Sequence, residues 1–154
     1  MNIQNVDTYL YRSSQPDNSD NTLNAADWTQ LASVGIQTVL DLETGADKGA
    51  DGDPLREAMH GNEFKIRVYS HPLGLILPPS VDQINQALKL IKLEIAQKKA
   101  VCVQCRDGVD RTGIIIAAYR IKVQGWPVKQ AIDEMYKNGF HWFYFYWVHI
   151  LREI

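Results

Sequence analysis

The chain has 154 residues, of which 45% are hydrophobic and 22% charged, with a formal net charge of −2. This length and composition fit one folded domain and argue against a disordered chain. The near-neutral charge, without a basic stretch, gives no support for a nucleic-acid-binding surface. No apolar run reaches the ~18 residues of a transmembrane segment, and the N-terminus lacks the basic and apolar blocks of a signal peptide. We therefore expect a single domain over residues 1–154, in the cytoplasm or secreted without a recognisable N-terminal signal.

Strands and helices alternate in the first half of the chain. Alternating polar and apolar residues predict a strand over Thr8–Arg12. An apolar stripe predicts a helix over Ala25–Val34, and β-branched residues predict a strand over Ile36–Leu42. The acidic, glycine-rich stretch Glu43–Asp53 is expected to be a surface loop.

The second half of the chain becomes mostly helical. It opens with a short helix over residues 54–60, followed by Gly61, and a strand over Phe64–Tyr69. A capping box formed by Ser80 and Gln83 begins a long helix. The remaining predicted elements are, in order, a strand over Ala100–Gln104, a helix over Arg111–Gln124 and a helix from Pro127 to Gly139.

This order of elements predicts an α/β fold. Strands that alternate with helices, followed by helices alone, indicate a central, mostly parallel sheet of four to five strands. We expect helices on both faces of that sheet and a helical C-terminus.

The segment Phe140–Ile150 is aromatic on all sides and, at eleven residues, too short to span a bilayer. We expect it to form a last helix packed on the body of the domain. Self-association or docking of a partner through this aromatic C-terminal segment is the alternative, because a helix that is apolar all round has apolar area left over.

The two cysteines, Cys102 and Cys105, are spaced C-x-x-C. A zinc site requires about four ligands, and no second cysteine pair exists, so we expect no metal and no cofactor. A structural disulfide is disfavoured in a reducing compartment. A thioredoxin-like redox pair stays open, although it leaves Gly108 and Arg111 unexplained. We favour a catalytic Cys105 and a core Cys102.

The stretch Cys105–Gly113 lies between a predicted buried strand and a predicted buried helix. A strand–loop–helix directs backbone N–H groups and the positive end of the helix dipole toward one point, so it predicts an anion site. Gly108 fits the unusual backbone angles that inward-facing amides require. The predicted phosphate- and substrate-binding residues are Arg106, Asp107, Gly108, Val109, Asp110 and Arg111.

A thiol inside an anion site can act as a nucleophile. A helix N-terminus and a nearby arginine both favour the thiolate form of a cysteine. Arg111 offers a planar fork of donors that matches two phosphate oxygens, and the hydroxyl of Thr112 can hydrogen-bond the sulfur. We predict that Cys105 attacks a phosphate, forming a thiophosphate that water then cleaves.

The proton-transfer group is less well determined, because hydrolysis needs both an acid for the departing oxygen and a base for the water. The candidates are Asp110 and Asp107 in the loop, His71 in a proline-rich loop, and the acids of Glu43–Asp53. Asp110 is the nearest in sequence to the phosphate. Its structural alternative is an ion pair with Arg111.

These residues match the C-x5-R-[ST] signature of the cysteine-dependent phosphatases, and most of the chain resembles their atypical dual-specificity group from bacteria, fungi and plants. The other stretches that resemble this group are Tyr11–Pro16, Gly35–Leu42, Asp110–Gly113, Gln124–Trp126, Glu134–Met135 and Asn138–His141. The resemblance implies a protein-tyrosine-phosphatase-like fold, Cys105 as nucleophile and Arg111 as the residue that binds the transition state. It also implies a phosphorylated protein as substrate.

Two positions depart from the group's pattern. Gln104 replaces a histidine that helps to set the thiolate, and the stretch 69–78 lacks the usual acidic aspartate. The loop alone also resembles that of myotubularin-like lipid phosphatases, which implies Asp110 as the acid and Asp107 as a substrate contact.

We therefore expect a phosphomonoester hydrolase of dual-specificity or tyrosine type. A phosphoinositide phosphatase and a catalytically weak phosphate-binding module are the alternatives. A multiply phosphorylated inositol needs further cations at the rim, for which Arg106 is the first candidate. Four other basic residues have solvated surface as their default role: Lys65, Arg67, Lys98 and Lys99.

Overall fold

A computed structural model of the chain describes residues 1–16, 25–44, 58 and 61–154. The strands are β1 (Ile3–Asp7), β2 (Leu10–Ser14), β3 (Ile36–Asp41), β4 (Arg67–Ser70) and β5 (Ala100–Cys105). The helices are α1 (Ala25–Val34), α2 (Val81–Ala96), α3 (Arg111–Lys122), α4 (Val128–Lys137), a 3-10 helix (Trp142–Trp147) and α5 (Ile150–Glu153). Within these ranges, no helix has both the length and the apolar character needed to cross a membrane.

The five strands form one sheet in the order β1-β2-β5-β3-β4. Strands β2, β5, β3 and β4 run parallel, and β1 pairs antiparallel with β2 at one edge. All six residues of the central strand β5 are buried, as expected for a strand covered on both faces. The predicted mostly parallel sheet is confirmed, and the carboxyl ends of its four parallel strands share one edge.

Helices cover both faces of the sheet, as predicted. Val101, Val103 and Cys105 belong to a core that also contains residues of α2, α3 and α4. Cys102 belongs to a second core, on the other face, with Trp28 and Leu31 of α1. Because side chains alternate along a strand, β5 contributes to both cores.

The predicted capping box of the long helix is present. Gln83 N donates to Ser80 Oγ at 3.1 Å, and Ser80 N donates to Gln83 Oε1 at 2.9 Å. Both orphan donors at the start of α2 are therefore satisfied by residues three positions apart, which is why the sequence alone could locate this helix.

The first predicted strand is displaced. Thr8 and Tyr9 form the turn between β1 and β2, so the strand expected over Thr8–Arg12 begins only at Leu10. Strand β1 was not predicted, because it lies at the sheet edge, is mostly polar and contains no buried residue.

The strand predicted over Phe64–Tyr69 begins three residues later, at Arg67. Lys65 has a positive φ of 59°, and Ile66 N donates to Gly61 O at 2.7 Å, so this stretch is a tight turn. Gly61 is helical rather than following a helix. The loop predicted over Glu43–Asp53, beyond Thr44, and most of the helix predicted over 54–60 lie outside the described residues.

The helical C-terminus is confirmed, but a single packed helix is not what forms. Residues Trp142–Trp147 adopt a 3-10 helix with non-helical backbone angles at Tyr144. Phe140 and Trp147 are buried and anchor the segment, whereas Trp142 and Phe145 project into solvent. A run that is aromatic on every side cannot bury every ring against one surface, so part of it stays exposed.

Candidate active site

The predicted anion loop lies at the carboxyl edge of the sheet. Cys105 is the last residue of the central strand β5 and α3 begins at Arg111, so the strand–loop–helix arrangement is the predicted one. Both side chains are buried. Gly108 has a positive φ of 71°, and a Cβ there would lie 2.5 Å from Ser13 O. Glycine is therefore required both by the backbone angle and by the close packing of the loop on β2.

Two carbonyl groups of the loop face β2. Gly108 O accepts from Arg12 Nη2 at 2.7 Å, and Arg106 O accepts from Gln15 N at 3.3 Å. Because the carbonyl and the following N–H point in opposite directions in a trans peptide, the N–H groups of Asp107 and Val109 point away from β2. This is the orientation that a nest of anion-binding amides requires.

Arg111 is held over the same edge of the sheet. Its Nη1 lies 3.4 Å from both Leu42 O and Leu73 O, in the segments that follow β3 and β4. The guanidinium is thus positioned by two neighbouring strands, while the backbone of Arg111 starts α3.

A second buried arginine lies beneath the loop. Burial lowers the pKa of Arg12, while the negative charges of Cys105 and Glu134 act in the opposite direction. Arginine nevertheless remains protonated in proteins. Arg12 therefore fixes the Gly108 carbonyl and also brings a positive charge near the sulfur of Cys105.

The end of β2 is also linked to the segment after β3. In the orientation that satisfies both atoms of its amide, the Gln15 side-chain nitrogen lies 3.0 Å and 2.9 Å from the two carboxylate oxygens of Glu43. Glu43 is buried. Glu43, the first residue of the acidic stretch Glu43–Asp53, therefore lies beside the end of β2, which contacts the loop.

The carboxylate of Asp110 is bound by the C-terminal segment. Asp110 Oδ1 accepts from His141 N at 2.9 Å, and Oδ2 lies 2.8 Å from His141 Nδ1. The imidazole of His141 stacks on Phe143, with ring centroids 5.0 Å apart. The structural alternative for Asp110 was an ion pair with Arg111; the partner that the structure shows for its carboxylate is His141, because the turn after α4 brings His141 against the loop.

Two other predicted contacts differ. The Oγ1 atom of Thr112 is buried and makes no hydrogen bond within the described part of the chain, so the predicted bond to the sulfur is not formed. The His71 ring is directed at α2, since its Nε2 lies 2.9 Å from Gln83 O. Arg106 and Asp107 are exposed at the mouth of the loop, and Gln104 is fully buried.

The redox pairing of the two cysteines is not supported. Both thiols are free, and they belong to cores on opposite faces of the sheet. Three residues along a strand separate the Cα atoms by about 10 Å, beyond the ~7 Å limit for a disulfide. Burial raises the pKa of Cys102 to about 12, and its thiol donates to Ser13 Oγ at 3.2 Å.

Three of the basic residues considered as contacts for a multiply phosphorylated inositol lie at the other end of the sheet. Lys65, Arg67 and Lys99 line a surface groove of about 690 Å³ together with Thr38 and Glu94. Arg67 is the first residue of β4 and Lys99 immediately precedes β5. Both mark the amino ends of parallel strands, opposite the edge that carries Cys105, so these cations cannot contact a phosphate in the loop.

Arg12 and His141 are the site residues that the sequence analysis did not identify. Both lie in stretches that matched the dual-specificity group, Tyr11–Pro16 and Asn138–His141, without a role assigned to either residue. For Arg12 a further signal was available, because a charged residue within a predicted strand has to find a partner when buried.

The fold and the loop together define a domain of the protein-tyrosine-phosphatase class. Solved structures with this fold include a mutant form of Tk-PTP, with a TM-score of 0.76, 16% identity and coverage of 98% of this chain and 92% of that chain. The catalytic domain of the PP-IP phosphatase SIW14 from S. cerevisiae, in complex with citrate, has a TM-score of 0.70 at 20% identity. The match covers 90% of this chain and 76% of that chain. TpbA of P. aeruginosa has a TM-score of 0.59 at 27% identity, and the match covers 90% of this chain and 80% of that chain.

The family is defined by sequence. A family model described as polymorphic toxin system, DSP-PTPase phosphatase, matches residues 14–125. The chain belongs to this family and therefore carries a cysteine-dependent phosphatase domain. The dual specificity protein phosphatase TpbA of Pseudomonas aeruginosa (strain UCBPP-PA14) is 29% identical over 144 residues, which are 91% of this chain and 56% of that protein. The chain thus spans about half the length of the curated relatives that it matches.

Proposed function

We propose that this protein hydrolyses phosphate monoesters through a cysteinyl-phosphate intermediate, with Cys105 as the nucleophile. The observation that carries the proposal is the loop itself. A buried cysteine ends the central strand, the loop that follows has amides turned away from β2, and the guanidinium of Arg111 is held over the same edge. A thiolate, oriented amides and a planar cation are the groups that phosphoryl transfer requires.

The reaction has two steps. The thiolate of Cys105 attacks phosphorus, a bond forms between sulfur and phosphorus, and the bond between phosphorus and the leaving oxygen breaks as that oxygen takes a proton. Water then gives up a proton and attacks phosphorus, and the sulfur–phosphorus bond breaks to return the thiolate and release phosphate. Arg111 and the amides of the loop bind the phosphoryl oxygens in both steps.

Asp110 is our assignment for the proton-transfer group, and His141 is its positioning residue. Both oxygens of the carboxylate are engaged by His141, which fixes the carboxylate beside the loop. Asp110 donates a proton to the departing oxygen in the first step and accepts one from water in the second. His141 is partly exposed, so its imidazole can exchange protons between Asp110 and solvent.

Phosphate release tests the proposal. We expect the purified, reduced protein to release phosphate from p-nitrophenyl phosphate and from phosphotyrosine peptides, and we expect Cys105→Ser to abolish release while leaving the fold intact by circular dichroism. Binding of inorganic phosphate without turnover of any substrate would instead assign the protein as a phosphate-binding module.

A further inference from the structure

An exposed apolar surface, the apolar rim, lies beside the loop. It consists of Leu75, Ile76 and Leu77 in the segment after β4 and Trp142, Phe143 and Phe145 in the 3-10 helix. Ile76 is 77% exposed, Leu77 73%, Trp142 76% and Phe145 66%. Side chains with such exposure project from the surface rather than line a groove.

The two segments that carry the apolar rim are joined by hydrogen bonds. Tyr146 Oη donates to Ile76 O at 2.6 Å, and Trp147 Nε1 donates to the same oxygen at 3.2 Å. Buried Trp147 therefore ties the segment after β4 to the 3-10 helix. The backbone at Ile76, whose side chain is exposed, is therefore held against the 3-10 helix.

The apolar rim is also continuous with the phosphate site. His141, which holds Asp110, immediately precedes the 3-10 helix. On the other side, Leu73 O contacts Arg111 only two residues before Leu75. On each side, the rim therefore begins within two residues of a group that contacts the loop.

The composition of the rim favours lipid. Residues 72–79 and 142–148 contain no Asp, Glu, Lys or Arg. Soluble monomers rarely expose large apolar patches of this kind, and Trp and Tyr beside projecting aliphatic side chains are characteristic of membrane–water interfaces. Peptides, in contrast, are bound in grooves or along strand edges.

Resting on the proposed function, we propose that the apolar rim inserts into the interfacial layer of a lipid bilayer and presents the loop to phosphate monoesters on lipid headgroups. Insertion of uncharged side chains does not depend on anionic lipid, so the affinity comes from apolar area and the specificity from the phosphate. Exposed Arg106, at the mouth of the loop, is placed to contact the headgroup.

Vesicle binding and turnover test this proposal together. We expect the protein to co-sediment with phosphatidylcholine vesicles, with or without phosphatidylinositol 4-phosphate, and to do so equally at low and high salt. Ile76→Ser and Trp142→Ser should each lower partitioning by about tenfold, from the lost apolar burial. Hydrolysis of the vesicle-borne lipid phosphate should fall in parallel, while hydrolysis of p-nitrophenyl phosphate stays unchanged.

Leu93→Ser is the matched control, because Leu93 is also a large apolar residue, 54% exposed, but lies on α2 away from the rim. It should alter neither partitioning nor turnover. Equal losses in Leu93→Ser and Trp142→Ser would overturn the assignment of the rim.

The remaining outcomes separate this inference from the proposed function. No partitioning, with normal turnover of p-nitrophenyl phosphate, would overturn the membrane role and leave the phosphatase proposal intact. Self-association that Trp142→Ser abolishes would instead assign the rim to contact with a second copy of the chain. Faster turnover of phosphopeptides that depends on the rim would assign it to a protein substrate. Absence of turnover on every substrate would instead contradict the proposed function.

Discussion

At the residue scale, the contact between His141 and Asp110 gives the proposed proton-transfer group its orientation. His141 contributes both a backbone N–H and a ring nitrogen to the carboxylate, and only the ring contact depends on the side chain. The two contributions can therefore be separated by substitution.

We expect Asp110→Asn to reduce kcat/KM by about 10²–10⁴-fold on alkyl phosphates and much less on p-nitrophenyl phosphate, whose leaving group needs little protonation. His141→Ala should show the same dependence on the leaving group with a smaller loss, about tenfold. His141→Asn, whose amide can replace Nδ1, should recover part of it. Equal losses on both substrates would assign a structural role to the pair.

Arg12 acts on the loop and on the sulfur together. Arg12→Gln removes the buried charge and weakens the bond to Gly108 O, so we expect the free energy of unfolding to fall by about 1–3 kcal/mol. Iodoacetamide should alkylate Cys105 more slowly at neutral pH, because the cation that attracts its thiolate is gone. In Arg12→Lys, which keeps the charge, Cys105 should be alkylated at an intermediate rate. Unchanged alkylation in Arg12→Gln would confine Arg12 to a structural role.

Cys102 should behave as a core residue and not as a redox partner. Its pKa, raised from 9.0 to about 12, keeps the thiol protonated at neutral pH. Because the folded-state pKa is raised, the stability linked to this thiol is fully present below about pH 9 and is lost as the pH rises through 12. Cys102→Ala should therefore flatten the alkaline fall of the melting temperature, and recovery from peroxide should match that of the wild type. Slower recovery in the variant would support a disulfide with Cys105.

At the scale of elements, the loop depends on how closely it packs on β2. Arg12 and Gln15 donate hydrogen bonds to carbonyl groups of the loop. A side chain at Gly108 would collide with the carbonyl group of Ser13. The end of β2 therefore shapes the loop that follows β5. This is why both of these neighbouring parallel strands are required for the site.

Two glycines with the same backbone angle test that packing. Gly108 and Gly125 both have φ of +71°, but a Cβ at Gly108 meets Ser13 O at 2.5 Å, whereas a Cβ at Gly125 meets no atom of the described residues within 4 Å. Gly125→Ala should cost about 1 kcal/mol of stability and leave turnover intact. Gly108→Ala should cost more and abolish phosphate release, measured by urea unfolding and by kinetics. Similar behaviour of the two variants would mean that the contact with β2 does not shape the loop.

Local features of the sequence were the predictable ones. The capping box of α2 joins residues three positions apart, and all groups of the loop except its supports are contiguous in Cys105–Gly113. The supports come from elsewhere in the chain. Asp110 and His141 are 31 residues apart, and Arg12 reaches a carbonyl 96 residues away. Such pairs depend on strand order and on turns, which periodicity does not specify.

At the scale of the whole molecule, the position of β5 at the centre of the sheet organises the candidate site. The parallel strands on either side bring Arg12 from β2 and the carbonyls of Leu42 and Leu73 to the same edge. The C-terminal segment closes over this edge through His141. The apolar rim and the loop therefore lie on the same side, whereas the groove lined by Lys65, Arg67 and Lys99 lies at the opposite end of the sheet.

We propose that Cys105 carries the phosphoryl group between the two steps. The most direct measurement is mass spectrometry of the peptide that contains Cys105, after acid quenching of the reaction with p-nitrophenyl phosphate. We predict that the peptide gains the mass of one phosphoryl group during turnover and that Asp110→Asn, with slower hydrolysis of the intermediate, accumulates more of it. Steady phosphate release with an unmodified peptide, or turnover that survives Cys105→Ser, would contradict the mechanism.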